Sequence, residues 1–216
     1  MSKKKDILFL CQYFYPEYIS SATLPFDTAL SLAKEDFTVG ALCGYPKEYN
    51  MEDEVPLMEI YEGIKIRRLK YLQLKRRNFI GRIINYFSFT FMVALHIFEL
   101  RKYKCVIVYS NPPILPFIAA LGKKLFNIKV VFVSYDIYPE MAIITNAISE
   151  DSIISKMMNK VNKFVFKSVD KVVALSNEMK KYLLAHRSLL VENHIEVIPN
   201  WYEDKSTSKI EESQYN

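Results

Sequence analysis

The chain has 216 residues, half of them hydrophobic, and 29 Lys+Arg against 24 Asp+Glu give a net charge of +5. That length builds one well-covered α/β domain and is too little for two ordinary ones. The 15 Tyr and 14 Phe exclude a chain disordered throughout.

Met1-Ser2-Lys3-Lys4-Lys5 places a basic leader before the apolar run Ile7–Cys11. A secretory core needs roughly 7–15 apolar residues, and Gln12 to Glu17 interrupts this one after five. The leader therefore reads as a solubilising lead-in to a buried first strand. Cys11, Cys43 and Cys105 lie on separate apolar runs without metal-ligand spacing, and an odd number cannot all pair. A reduced, cytoplasmic protein is expected.

Expected strands follow at Ile7–Cys11, Thr38–Cys43, Ile64–Leu69, Val106–Tyr109, Val130–Ser134, Lys171–Leu175 and Ile195–Ile198. Several are continuously apolar, as strands covered on both faces must be. Helical patterns lie between most of them, at Ala22–Lys34, Phe79–Arg101, Ile114–Phe126, Ile153–Lys167 and Asn177–His186. This alternation predicts an α/β, Rossmann-like domain over residues 1–200. Its mostly parallel sheet has six or seven strands, Ile7–Cys11 is central, and helices cover both faces. The acidic, Pro-punctuated stretch Gly44–Glu62 reads as a surface excursion, and residues 201–216 as a linker or disordered tail.

Several chemistries lack their motifs. Gly40, Gly44, Gly63, Gly81 and Gly122 are too dispersed for a dinucleotide fingerprint, and no phosphate-binding Gly-Lys-Ser/Thr loop occurs. His96, His186 and His194 have no Cys or Glu at ligand spacing, so no metal site is expected. No Gly-x-Ser-x-Gly elbow marks a hydrolase nucleophile.

Ligands of parallel α/β sheets gather at the carboxyl ends of the strands, and three loops there carry polar groups. In Gln12–Ala22, Ser20 and Ser21 read as cap residues of the following helix, whose first N–H groups can meet an anion. Ser110-Asn111-Pro112-Pro113 is a rigid turn. Ser134-Tyr135-Asp136-Ile137-Tyr138-Pro139-Glu140 sets two carboxylates just past a very apolar strand. They are either helix caps or ligands of a substrate hydroxyl.

Together these loops resemble the amino-terminal domain of family-4 retaining glycosyltransferases with the two-domain GT-B fold. Tyr13-Phe14-Tyr15-Pro16-Glu17 is similar to the family's Phe-x-Pro-Glu opening, and Asp136-Ile137-Tyr138-Pro139-Glu140 to its Asp-Leu-Trp-Pro-Glu signature. Val172-Val173-Ala174-Leu175-Ser176, with Met179 and Leu183, resembles its Val-Val-Ala-Leu-Ser segment. Val197-Ile198-Pro199-Asn200 resembles the Val-Ile-Pro-Asn before the crossing into the second domain. Where the family often has Gly-Gly-Ala, this chain has Ser20-Ser21-Ala22.

The resemblance implies an acceptor-binding lobe, with the nucleotide-sugar donor held mainly by a carboxyl-terminal domain and transfer proceeding with retention. No metal or other cofactor is expected. It implies Asp136 and Glu140 as catalytic candidates, and Tyr15, Glu17, Ser20, Ser21, Asn111 and Tyr135 as substrate-binding candidates. The second domain is absent from the sequence, so an excised domain or one subunit of a split enzyme is expected, inactive alone.

From Gly63 to Phe98 there is no acidic residue, whereas Lys65, Arg67, Arg68, Lys70, Lys75, Arg76, Arg77 and Arg82 are basic. The helix beyond is nearly all apolar, its polar side grouping Arg82, Asn85, Ser88, His96 and Glu99. Its uncharged run would span about 24 Å at the helical rise, short of the roughly 30 Å hydrocarbon core. It is either packed deeply inside the protein or rests partly in a membrane surface. For a polyprenyl-linked acceptor in surface-polysaccharide synthesis the second reading is favoured, with Lys75, Arg76, Arg77 and Arg82 at the inner leaflet. A non-catalytic membrane-surface or scaffold module on a degenerate fold is the alternative. Nucleic acid is not an expected partner, since no groove-reading motif is present.

Overall fold

The computed structural model describes residues 4–46, 55–74 and 79–200. The strands are β1 (Lys5–Leu10), β2 (Val39–Gly44), β3 (Met58–Tyr61), β4 (Ile64–Leu69), β5 (Tyr103–Tyr109), β6 (Lys129–Ser134), β7 (Lys171–Ala174) and β8 (Ile195–Val197). They form one sheet in the order β3-β4-β2-β1-β5-β6-β7-β8. All neighbours run parallel except the β3–β4 pair. The chain first winds from β1 to β2 and β4, then recrosses to lay β5 to β8 on the other side. Strand order therefore reverses between β1 and β5, the place where open α/β sheets open a crevice.

The apolar strands dictate the layers. β2 is buried at every residue. On one face, Ala29 of helix α1 (Ser20–Lys34) packs with Phe9, Val39 and Ala41. On the other lie α2 (Phe79–Leu95), α3 (Leu115–Phe126), α5 (Ile153–Ser168) and α6 (Asn177–His186), around Leu10, Val106, Val108 and Val130. A short helix, α4 (Glu140–Ile144), starts just past β6.

Three expectations need correction. The described sheet has eight strands, not six or seven. The extra one, β3, lies inside the stretch expected to be a surface excursion. Its apolar Met58 and Ile60 face solvent while Glu59 and Tyr61 turn inward, so hydropathy hides it. A two-residue turn, Glu62-Gly63, joins it to β4 with φ of 49° and 78°, the primed geometry that tight hairpins favour. The α1 cap is Ile19, whose side chain makes no cap bond, and Ser20 and Ser21 are already helical. The expected Phe79–Arg101 helix ends at Leu95, and a 3-10 segment, Ile97–Lys102, completes the connection.

The polar side of α2 splits: Arg82 is exposed, whereas Asn85 and Ser88 turn toward the protein. Asn85 is 3% exposed, and its carboxamide accepts from Leu74 N (2.7 Å) and donates to Leu74 O (2.9 Å). Ser88 Oγ donates to Leu72 O at 3.2 Å. Those backbone groups follow edge-side strand β4 and need partners, so they claim the polar stripe. Phe87, Phe91 and Leu95, by contrast, are 50%, 62% and 60% exposed. Among the described residues no helix is long and apolar enough to cross a membrane.

Cys11, Cys43 and Cys105 are all free thiols. Burial pushes Cys43 up to about 12 and Cys105 to about 11, so neither is a ready thiolate.

Candidate functional site

Three loops meet beyond the carboxyl ends of β1, β5 and β6, and each contains a cis prolyl bond: Tyr15-Pro16, Asn111-Pro112 and Tyr138-Pro139. The first is held from below by Arg68, whose side chain is wholly buried. Its guanidinium donates to Tyr15 O (2.9 Å), to Pro56 O (2.8 Å) and to the Glu59 carboxylate. The Tyr15 ring stacks on Tyr61, centroids 4.0 Å apart, and on Phe26 at 5.2 Å. A hydrogen bond with Tyr61, with burial, pushes the Tyr15 phenol up to about 12.

The second and third loops are joined by one hydroxyl. Buried Ser110 Oγ accepts from Tyr135 N (3.0 Å) and Asp136 N (3.2 Å). Ser134 Oγ in turn donates to Asp136 O at 3.3 Å. The loop backbone is thereby fixed on both sides of Asp136. Its half-buried carboxylate takes no hydrogen bond or ion pair among the described residues, and desolvation raises its pKa. A carboxylate held in place, partly dehydrated and unoccupied can accept a proton from a ligand.

Glu140, at the start of α4, is engaged differently. One terminal nitrogen of Arg187 donates to both its oxygens, at 2.7 and 2.8 Å. Asn162 and Arg187 both donate to Tyr138 O, at 2.6 and 3.2 Å. This polar clasp ties the loop after β6 to α5 and to the segment after α6.

Beside these loops lies a groove of about 450 Å³ between α2, α4 and α5. Tyr138, Pro113 and Ile114 close its end at the strands, and among the described residues Arg82 is the only charged one lining it. Burial first, then Tyr86 and the Asp136 charge, push the Tyr138 phenol up to about 12.

The sequence candidates thus occupy distinct settings. Asp136 and Asn111 stand in adjacent loops at the β5–β6 edge, both half-buried. Tyr135 turns to the opposite face, its ring 5.2 Å from Tyr109. Glu17 is buried in the first loop. Ser20 and Ser21 open α1, where Ala22 N and Thr23 N are already taken by Ile19 O. Arg82 is exposed at the groove, whereas Lys75, Arg76 and Arg77 lie outside the described residues.

Sequence reasoning missed Arg68, Ser110, Arg187 and the groove. Arg68 was hidden inside a basic run, and Arg187 in a polar helix end. Ser110 was legible only as part of a turn. The adjacent pair Arg67-Arg68 between Ile66 and Leu69 was the available signal, since successive strand residues face opposite sides and one of the two must turn inward.

Among solved structures the chain is similar to a sucrose-phosphate synthase from Thermosynechococcus elongatus, with 13% identity and TM-score 0.55, covering 98% of this chain and 97% of that one. It is similar to HepE from Anabaena in complex with UDP and glucose, with 14% identity and TM-score 0.52, covering 98% and 50%. An α,α-trehalose-phosphate synthase (UDP-forming) from Burkholderia vietnamiensis matches with 9% identity and TM-score 0.57, covering 99% and 56%. The chain thus spans about half the length of the last two. No curated protein matches it in sequence. The fold is one lobe of the GT-B architecture. Residues 25–205 match the family Glycosyltransferase Family 4, and the chain belongs to that family.

Proposed function

We propose that this chain is the acceptor-binding lobe of a retaining glycosyltransferase. It would move a sugar from a nucleotide-sugar onto a polyprenyl-linked saccharide in surface-polysaccharide synthesis. The observation that carries the reading is Asp136, beyond the carboxyl end of β6, whose backbone is held by Ser110 and whose carboxylate takes no partner among the described residues. In the proposed reaction the acceptor hydroxyl hydrogen-bonds to Asp136 and attacks the anomeric carbon. The new glycosidic bond forms as the bond to the diphosphate breaks, and the nucleoside diphosphate leaves with the electron pair. Asp136 orients the attacking oxygen and helps remove its proton.

Glu140 acts in this scheme as a positioning residue through Arg187. Asn111, Glu17 and Tyr15 shape the acceptor side of the cleft, while Tyr135 supports the loop from behind. Ser20 and Ser21, at the start of α1, face the donor's phosphates. The nucleotide-sugar is held by a second Rossmann-like lobe, on the same polypeptide or on a partner subunit. The donor is a substrate, and no metal or other cofactor is assigned a step.

The proposed location is the cytoplasmic side, peripheral at the inner face of the membrane. The exposed Phe87, Phe91 and Leu95 of α2 support it, since an exposed apolar stripe on a helix suits a bilayer interface. The test of function is single-turnover transfer by the complete enzyme with Asp136→Asn. Near-normal transfer would remove Asp136 from the chemistry.

A further inference from the structure

The loop after β1 carries Tyr15 and Glu17, yet the groups that hold it come from the edge hairpin β3–β4, which β2 separates from β1. Arg68 of β4 makes the first tie, at the Tyr15 carbonyl. Its side chain is wholly buried, and its Nε takes no partner among the described residues. Taking a guanidinium out of water is costly, and apolar groups in place of a buried ion pair are often neutral or better for stability. Stability alone therefore does not account for an arginine here. The second tie is aromatic. The Tyr15 ring lies 4.0 Å from that of Tyr61, with 13° between their planes, and the two phenols share a hydrogen bond. One loop residue is thus held at its backbone by β4 and at its ring by β3. A four-residue strand whose Met58 and Ile60 stay mostly exposed adds little to the core. What β3 supplies is Glu59 for the Arg68 guanidinium and Tyr61 for the stack.

We infer that Arg68, with Glu59 and Tyr61 of the edge hairpin, is a positioning residue for acceptor recognition, fixing the loop that carries Tyr15 and Glu17. The inference rests on the acceptor-lobe reading above and adds to it a group that touches no substrate. A binding loop works only when supporting side chains hold it close to its productive geometry, and ordering it in advance removes that cost from binding. Arg68 does this from beneath, donating at 2.9 Å to Tyr15 O while Pro56 O and Glu59 hold the guanidinium itself. The loop carrying Asp136 is held by a separate set, Ser110, Asn162 and Arg187. The acceptor-shaping loop and the reacting carboxylate can therefore be disturbed one at a time.

Arg68→Met keeps apolar bulk at the position and deletes the donations to Tyr15, Pro56 and Glu59. In the 216-residue chain, amide exchange should quicken over residues 13–19 while the loop after β6 keeps wild-type exchange. The complete enzyme is then assayed with the lipid-linked saccharide pool extracted from the cells that make it. Acceptor KM should rise about tenfold, with donor KM and kcat within about twofold of wild type. Arg68→Lys, which keeps a charge for Glu59 and can reach one carbonyl, should recover part of the loss. Tyr61→Phe keeps the stack and should raise acceptor KM less than Tyr61→Ala. Tyr61 is only half-buried, so these two variants serve if Arg68→Met unfolds. Lys65→Ala, at an exposed position of β4, should match wild type. Unchanged exchange over the loop would overturn the inference, as would faster exchange with an unaltered acceptor KM. Equal rises in donor and acceptor KM would overturn it too. Wild-type kinetics in Arg68→Met alongside Asp136-dependent transfer would sink the positioning role alone. An acceptor-specific rise in Arg68→Met alongside Asp136-independent transfer would instead sink the catalytic reading alone.

Discussion

One terminal nitrogen of Arg187 lies 2.7 and 2.8 Å from the two carboxylate oxygens of Glu140 and also reaches the Tyr138 carbonyl. The pair joins the segment after α6 to the loop after β6, and both side chains are largely shielded, 10% and 24% exposed. Arg187→Met leaves the Glu140 carboxylate without its partner and should cost about 1–3 kcal/mol. Over a chain of this size that is a fall in melting temperature of roughly 2–10 °C. Calorimetry checks it, and an unchanged melting temperature would show the clasp to be energetically idle.

Asp136→Asn should behave oppositely. Because desolvation raises the folded-state pKa of Asp136, the native state binds more protons than the unfolded chain above the ordinary Asp range near 4. Its contribution is therefore present below that range and lost as pH rises through the raised value. The substituted protein should melt at or above wild type at neutral pH, with a flatter pH profile. Transfer by the complete enzyme should fall about 10²-fold or more. Melting and single-turnover transfer on one preparation separate these effects.

Ser110→Ala deletes the acceptor for two consecutive backbone N–H groups, those of Tyr135 and Asp136. Unsatisfied buried donors cost about 1–3 kcal/mol each. A loss of roughly 2 kcal/mol or more is expected in urea unfolding, with faster amide exchange confined to the loop after β6. Loss of stability without altered exchange at Tyr135 and Asp136 would contradict the link.

Asp6 joins three segments at the amino end of the sheet. It accepts from Lys104 Nζ (2.6 Å), Thr38 Oγ1 (2.6 Å) and Thr38 N (3.0 Å). The Lys104 bond, then those from Thr38, hold its carboxyl well below the usual range. Its contribution is present above an Asp pKa of about 4 and is lost as pH falls toward the folded-state value. Asp6→Asn should therefore narrow the gap between neutral and acid stability, measured as urea midpoints from pH 7 downward. An unaltered acid limb would count against it.

Phe91→Glu should reduce sedimentation of the protein with anionic vesicles while leaving folding intact, because Phe91 is mostly exposed. Added salt should weaken binding further by screening the cations. Equal binding by wild type and variant would remove α2 from the membrane contact.

Much of this architecture was legible before any coordinates. Continuously apolar runs such as Leu8–Cys11 and Val39–Cys43 demand cover on both faces, and their alternation with helical patterns demands parallel crossovers. The strand-end rule then pointed to Asp136 and Asn111. Local pattern could not reveal β3, because its apolar residues face water and its inward residues are Glu59 and Tyr61. It is held by the buried Arg68 from a neighbouring strand and by Tyr15 from a distant loop.

The orientation of α2 was equally closed to sequence. Helical periodicity divides the helix into a polar and an apolar side, but only tertiary structure decides which side faces the protein. Here the backbone groups of Leu72 and Leu74 lie next to it and take their hydrogen bonds from it, so Asn85 and Ser88 turn inward and the aromatic stripe turns out. Likewise, the chain alone marks Asp136 and Glu140 as equivalent carboxylates. Arg187, 47 residues beyond Glu140, separates them by pairing with one and leaving the other open.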